Sequence, residues 1–127
     1  MTQHSPGATI AVVDDDQRIL GSLEILLESA DHAVHLFASG AALLASGCLP
    51  EIDCLITDIG MPGMDGFELI RRVHAARPRL PIILITGRAG ILNGHLSPGA
   101  GDYRLFRKPF NGADLLAAVG EALGRRD

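Results

Sequence analysis

Cysteine is scarce in this chain. Its two cysteines, Cys48 and Cys54, stand at a spacing that matches no metal-binding or redox motif. Cys54 lies in an apolar run and reads as a buried core thiol. An excess of positive charge is also missing: the net charge of −4 and pI near 5.6 exclude a piece that by itself grips nucleic acid or an anionic membrane. The first nine residues contain no apolar stretch of the kind a signal peptide needs, and no run is long enough to span a bilayer, so a cytoplasmic protein is expected. There is no internal repeat, low-complexity tract or linker, and 127 residues suit one domain, not two. What the chain does have is apolar material. At 47% hydrophobic with modest charge, it can bury a core rather than stay disordered.

Apolar runs of strand length alternate with segments of helical period. Residues 9–13 (T-I-A-V-V) are rich in β-branched side chains and end abruptly in three aspartates. Residues 17–30 follow with Ile19, Leu23, Leu26, Leu27 and Ala30 on one helical face. Residues 33–37 read as a weak strand, and Ser39 as the N-cap of a short helix through Ser46. Residues 52–57 and 81–86 are the next two strands, separated by a helical stripe of Phe67, Ile70, Val73 and His74. Residues 88–102 hold four glycines and Pro98, so a helix there is short or irregular. Residues 103–107 read as a fifth strand, and Asn111 caps a last helix with Leu115, Leu116, Val119 and Leu123 on its buried side. This alternation means an α/β fold around a parallel sheet with helices on both faces.

In such sheets ligands bind outside the carboxyl ends of the strands. The first strand ends in Asp14, Asp15 and Asp16, the third in Asp58, the fourth in Thr86 and the fifth in Lys108 followed by Pro109. Three of these four ends carry a group suited to phosphate or metal chemistry, and the fourth carries a hydroxyl. Of the 11 basic residues ten are arginine, so the lysine at this one position stands out. A compact ammonium meets a phosphoryl oxygen as a point charge, whereas a guanidinium is a planar fork.

The segments V-V-D-D-D (12–16), T-D-I-G-M-P-G-M-D-G (57–66), I-L-I-T-G (83–87) and R-K-P-F (107–110), in this order and at these intervals, resemble the receiver domain of two-component response regulators. The resemblance spans residues 9–123 and makes the chain a single receiver domain over 1–127, with 1–8 an N-terminal extension and 124–127 a C-terminal tail. It implies five parallel strands in the order 2-1-3-4-5. With strands one and three adjacent, about 4.8 Å apart, Asp14, Asp15 and Asp58 crowd together, which is costly unless a cation joins them. Hard oxygen ligands at a partly open site suit Mg²⁺. The resemblance implies that Asp15, Asp58 and the backbone carbonyl of Gly60 bind the metal directly and Asp14 through water. Asp16 is read as a solvated loop residue or helix cap. Thr86 on the neighbouring strand can reach a phosphoryl group on Asp58; Lys108, roughly 10 Å away on strand five, needs its long arm to do so. The resemblance also implies a cis Lys108–Pro109 bond. Asp58 is then the phosphoacceptor, a carboxylate nucleophile, and the donor a phosphohistidine on a sensor histidine kinase or histidine phosphotransfer protein. Self-catalysed phosphorylation and dephosphorylation are expected, without enzyme activity in the ordinary sense.

Two features depart from the family. The segment after Thr86 is glycine-rich, and the position three before the lysine, usually aromatic, is Leu105. Tyr103 lies about 7 Å along the strand from it, so a threonine–aromatic relay in its usual form is not expected. Tyr103 and Leu105 are the candidates for an output surface toward a downstream partner. His4, His32, His35, His74 and His95 are read neither as metal ligands nor as phosphodonors, and Arg71, Arg72, Arg77 and Arg79 as the solvated face and exit of the third helix. Two rival functions are weighed. An Mg²⁺-dependent aspartyl phosphohydrolase usually carries a second acid two residues after the nucleophile, where this chain has Gly60. A degenerate, phosphorylation-independent interaction module would have lost an acid, the threonine or the lysine, yet all are present. A stand-alone regulator and a receiver from a longer DNA-binding or kinase protein both match the sequence.

Overall fold

The computed structural model describes residues 7–60, 63, 66–87 and 104–124. Along the chain run β1 (Thr9–Val13), α1 (Gln17–Glu28), β2 (Ala33–Phe37), α2 (Gly40–Ser46), a 3-10 turn (Leu49–Glu51), β3 (Cys54–Asp58), α3 (Gly66–Ala76), β4 (Ile82–Thr86), β5 (Arg104–Arg107) and α4 (Gly112–Gly124). The strands form one parallel sheet in the order β2-β1-β3-β4-β5, as the family resemblance implies. The expected irregular helix between β4 and β5, and Tyr103 with it, lie outside the described residues.

Alternation along each strand divides the apolar side chains between two layers. Ile10 and Val12, Cys54 and Ile56, and Ile83 and Ile85 face α1 and α4. Ala11 and Val13, Leu55, and Ile82 and Leu84 face α2 and α3. Both faces of the central strands are therefore covered, which is why they read as unbroken apolar runs. Cys54 is buried among them. Burial pushes its thiol up to about 12 from the ordinary 9.0, with the charge of Asp53 adding to the effect.

The helices start where the caps indicate. Asp16 accepts the Arg18 N–H at 2.9 Å, Ser39 that of Ala42 at 3.0 Å, and Asn111 that of Asp114 at 3.0 Å. Their buried stripes differ in detail from the sequence reading. In α1 the buried residues are Leu20, Leu23 and Leu27; Ala30 is exposed, because the chain turns after Glu28 through Asp31 in the left-handed region (φ 69°). In α3 the stripe is Gly66, Leu69, Ile70 and Val73, with Phe67 and His74 half-buried. In α4 it is Leu115, Ala118, Val119 and Ala122, flanked by half-buried Leu116 and Leu123. The two alanines let α4 lie close to the sheet, a role that counting large apolar side chains overlooks.

β3 begins at Cys54 rather than Ile52 and includes Asp58. Asp53 is used differently: its N–H donates to the Thr9 carbonyl at 2.7 Å, and its carboxylate accepts the Thr9 N–H at 2.9 Å. That double link fixes the entry of β1 against β3. Among the described residues no helix is long and apolar enough to cross a membrane.

Candidate functional site

Strand register brings the polar residues together. Val13 pairs with Thr57, Asp58 with Ile85, and Thr86 with Arg107. The residues just beyond or at these pairs (Asp14, Asp58, Thr86 and Lys108) therefore cluster at one edge of the sheet, on its carboxyl side. The backbone ladder continues past the strand ends to hold them, with Asp14 N–H on Phe37 O at 3.0 Å, Ile59 N–H on Ile85 O at 3.1 Å and Lys108 N–H on Thr86 O at 2.7 Å. The Lys108–Pro109 bond is cis.

Asp14 is turned inward and wholly buried. Its Oδ1 accepts the Asp16 N–H at 2.9 Å, and its Oδ2 lies 2.8 Å from Lys108 Nζ. The Lys108 ammonium is the charge that this buried oxygen meets among the described residues. Asp58 is nearly buried; its Oδ1 accepts the Gly60 N–H at 3.1 Å and its Oδ2 meets Lys108 Nζ at 3.3 Å. Asp15 is exposed at the rim. One carboxylate oxygen from each of Asp14, Asp15 and Asp58 lies within 4.8 Å of the others. An open cleft of about 280 Å³ above them is lined by Asp15, Asp16, Asp58, Gly60, Gly87 and Lys108.

The electrostatics follow from burial. Desolvation raises the Asp14 carboxyl above the ordinary aspartate value, and the neighbouring Asp58 charge adds to it; Lys108 and the Asp16 N–H offset only part. For Lys108 partial burial is the largest effect and lowers its pKa, but the carboxylates of Asp14 and Asp58 together outweigh it, and the net shift is upward. The site thus holds more negative charge than one ammonium satisfies. Three carboxylates sharing one ammonium beside a water-open side fit a hard divalent cation. Asp16 stands apart from this set, since its carboxylate is committed to the Arg18 N–H as the cap of α1.

Thr86 is buried at the end of β4. Leu105 is half-buried and packs with the α2/α3 layer, while Phe106 packs with the opposite layer. Of the four arginines read as one solvated face, Arg71 and Arg72 are exposed and pair with Glu68. Arg77 corrects that reading: it is half-buried and donates to the carbonyls of Leu49 at 2.7 Å and Ile52 at 3.0 Å. A guanidinium reaching back from the end of α3 to the turn before β3 leaves no mark in local sequence.

The sequence reading also missed two features of the site itself. One is the hold of Lys108 on Asp14, which is closer than its contact with Asp58. The other is Gly66, whose missing side chain admits α3 against the end of β3; its sequence signals are its place at the end of the segment 57–66 and at the start of an expected helix.

Residues 10–120 match the family described as the response regulator receiver domain. The transcriptional regulatory protein FixJ of Azorhizobium caulinodans is 36% identical over 118 residues, covering 91% of this chain and 55% of the relative. The chain therefore spans about half the length of that relative. A CheY-like receiver domain protein from Methanospirillum hungatei superposes with a TM-score of 0.84 at 33% identity, over 94% of this chain and 96% of the other. The beryllofluoride-activated receiver domain of DrrB gives a TM-score of 0.80 at 31% identity, over 94% and 99% of the two chains.

Proposed function

Because this chain belongs to the response regulator receiver domain family of two-component systems, we propose that it accepts a phosphoryl group on Asp58. The observation that carries this reading is the position of Lys108 Nζ, 2.8 Å from buried Asp14 and 3.3 Å from Asp58. An ammonium held there is preorganised to meet negative charge that arrives on Asp58, at no cost of reorganisation during reaction.

Asp58 offers a carboxylate oxygen to phosphorus while its other oxygen stays on the Gly60 N–H. The new O–P bond forms as the N–P bond of a phosphohistidine breaks in line, and the imidazole leaves with the electron pair. Lys108 and the Thr86 hydroxyl offset charge on the phosphoryl oxygens. Asp15, Asp58 and the Gly60 carbonyl would hold Mg²⁺ directly, with Asp14 acting through water; the ion supplies charge neutralisation at the phosphoryl oxygens. The donor is a sensor histidine kinase or a histidine phosphotransfer protein. Residues 1–127 act as one receiver unit in the cytoplasm, switching a downstream protein contact without binding nucleic acid or membrane themselves. That a similar receiver domain is known in a beryllofluoride-activated form supports the same chemistry here.

Intact-mass spectrometry after incubation with acetyl phosphate and Mg²⁺ tests the proposal. A single phosphate adduct is expected in the wild type and none in Asp58→Asn. An adduct that persists in Asp58→Asn, or a wild type unmodified at saturating donor, rejects it.

A further inference from the structure

Gly66 is buried at the first residue of α3, and its N–H approaches the Ile59 carbonyl at 3.4 Å. A Cβ at this position would lie 2.5 Å from Ile59 Cα, 2.7 Å from the Asp58 carbonyl oxygen and 2.7 Å from Ile59 Cγ2, where ordinary van der Waals contact is 3.4–4 Å. Two of these three atoms are backbone and cannot rotate away. Neither side can easily retreat. Ile59 is buried and its N–H is tied to Ile85 O at 3.1 Å; the Asp58 carbonyl accepts the Thr57 hydroxyl at 3.0 Å. α3 in turn is anchored by Leu69, Ile70 and Val73 in the core. Backbone conformation is not the reason for glycine here, since the described glycines with positive φ are Gly47 and Gly63.

We propose that Gly66 is a positioning residue: its lack of a side chain sets the backbone path of residues 58–60, and through it the metal affinity of the phosphoacceptor site. This rests on the metal-assisted reading above. Within that stretch lie the Asp58 carboxylate, the Gly60 N–H that orients it and the Gly60 carbonyl that would hold the metal. Mg²⁺ demands near-ideal octahedral geometry, so a displacement of this stretch weakens its binding. An ordinary glycine at a helix start predicts the opposite outcome, because Gly→Ala with room for the methyl is neutral or mildly stabilising.

The experiment compares Gly66→Ala with Gly120→Ala, where nothing lies within 4 Å of the added methyl, and with the remote core variant Leu115→Ala. Each is assayed by thermal unfolding, by the amide resonances of Ile59 and Gly60 without metal, and by Mg²⁺ titration of those resonances. In Gly66→Ala both resonances move and Mg²⁺ affinity falls about tenfold, the scale of losses seen when a supporting residue of a metal site is changed. Leu115→Ala lowers Tm at least as far yet keeps wild-type Mg²⁺ affinity, and Gly120→Ala, inside α4, holds or raises Tm and keeps wild-type affinity. Unmoved resonances with wild-type affinity in Gly66→Ala overturn the proposal while leaving the phosphoacceptor reading intact. If the wild type itself binds no Mg²⁺, the metal reading fails, and the metal-free resonances still decide the role of Gly66. Should Gly66→Ala not fold, Gly66→Ala/Ile59→Ala, which removes the side-chain contact and keeps the two backbone ones, is measured against Ile59→Ala by the same criteria.

Discussion

Replacing Lys108 by methionine is the sharpest perturbation of this site. It keeps the length of the arm and removes the ammonium that stands 2.8 Å from Asp14 and 3.3 Å from Asp58. Removing one partner of a buried ion pair leaves an uncompensated charge and costs about 3–5 kcal/mol. The Lys108 side chain is 19% exposed and that of Asp14 0%. Water from the cleft therefore screens part of the loss, and about 2–3 kcal/mol is expected without metal. Mg²⁺ should offset part of that loss. The ammonium and the metal compete for the same carboxylates, so Lys108→Met should bind Mg²⁺ more tightly, by about tenfold or about 1.4 kcal/mol. The stability deficit then narrows as Mg²⁺ is raised. Tryptophan is absent from the chain, so far-UV circular dichroism is the appropriate probe for urea unfolding across a series of Mg²⁺ concentrations. Acetyl phosphate labelling of Asp58 should fall in the same variant. A metal-free loss below about 0.5 kcal/mol, the range of an ordinary surface change, would refute the argument. So would equal stabilisation of wild type and variant by Mg²⁺.

Calorimetric titration should show Mg²⁺ binding collapse in Asp15→Asn and persist in Asp16→Asn, whose carboxylate caps α1; equal losses would remove Asp15 from the metal. Lys108→Arg should behave as a disruptive change, with weaker phosphorylation of Asp58, because a planar fork cannot sit between two carboxylates as a point charge; labelling at the wild-type rate would show that any cation suffices. Arg77→Met should lower stability by about 1–3 kcal/mol by leaving the Leu49 and Ile52 carbonyls without their donor, with Mg²⁺ affinity unchanged; loss of metal binding would contradict a purely supporting role. Cys54 ionises near 9.0 in the unfolded chain but only at about 12 in the folded one. Its contribution is complete below 9.0 and is lost as pH rises toward 12. Unfolding at about pH 10.5 should therefore show about 2 kcal/mol less stability than at neutral pH in the wild type, a decline that Cys54→Val flattens. Matching pH profiles would count against the buried thiol.

The strands and most of the site were legible from local pattern. An apolar run that stops at a charge marks a strand end, and in a parallel sheet those ends carry the chemistry; Asp14, Asp58, Thr86 and Lys108 were found that way. Ser39 and Asn111 were legible as caps because a cap acts within three residues of itself. In α3 the stripe was read correctly at Ile70 and Val73 but with Phe67 and His74 in place of Gly66 and Leu69, and in α4 it fell short of two alanines, because periodicity reports which side is apolar and packing distance decides which residues are sealed.

By itself, then, the sequence determined the α/β alternation, the acidic strand ends and the solitary lysine, since each is a property of a few consecutive residues and their solvent preference. Tertiary structure decided the partnerships. Lys108 closes on Asp14 as well as Asp58, Arg77 reaches back to the turn before β3, and Gly66 admits α3 against the end of β3. Each joins elements separated along the chain, and each depends on register and on close approach measured in tenths of an ångström, which a linear pattern of residue types does not carry.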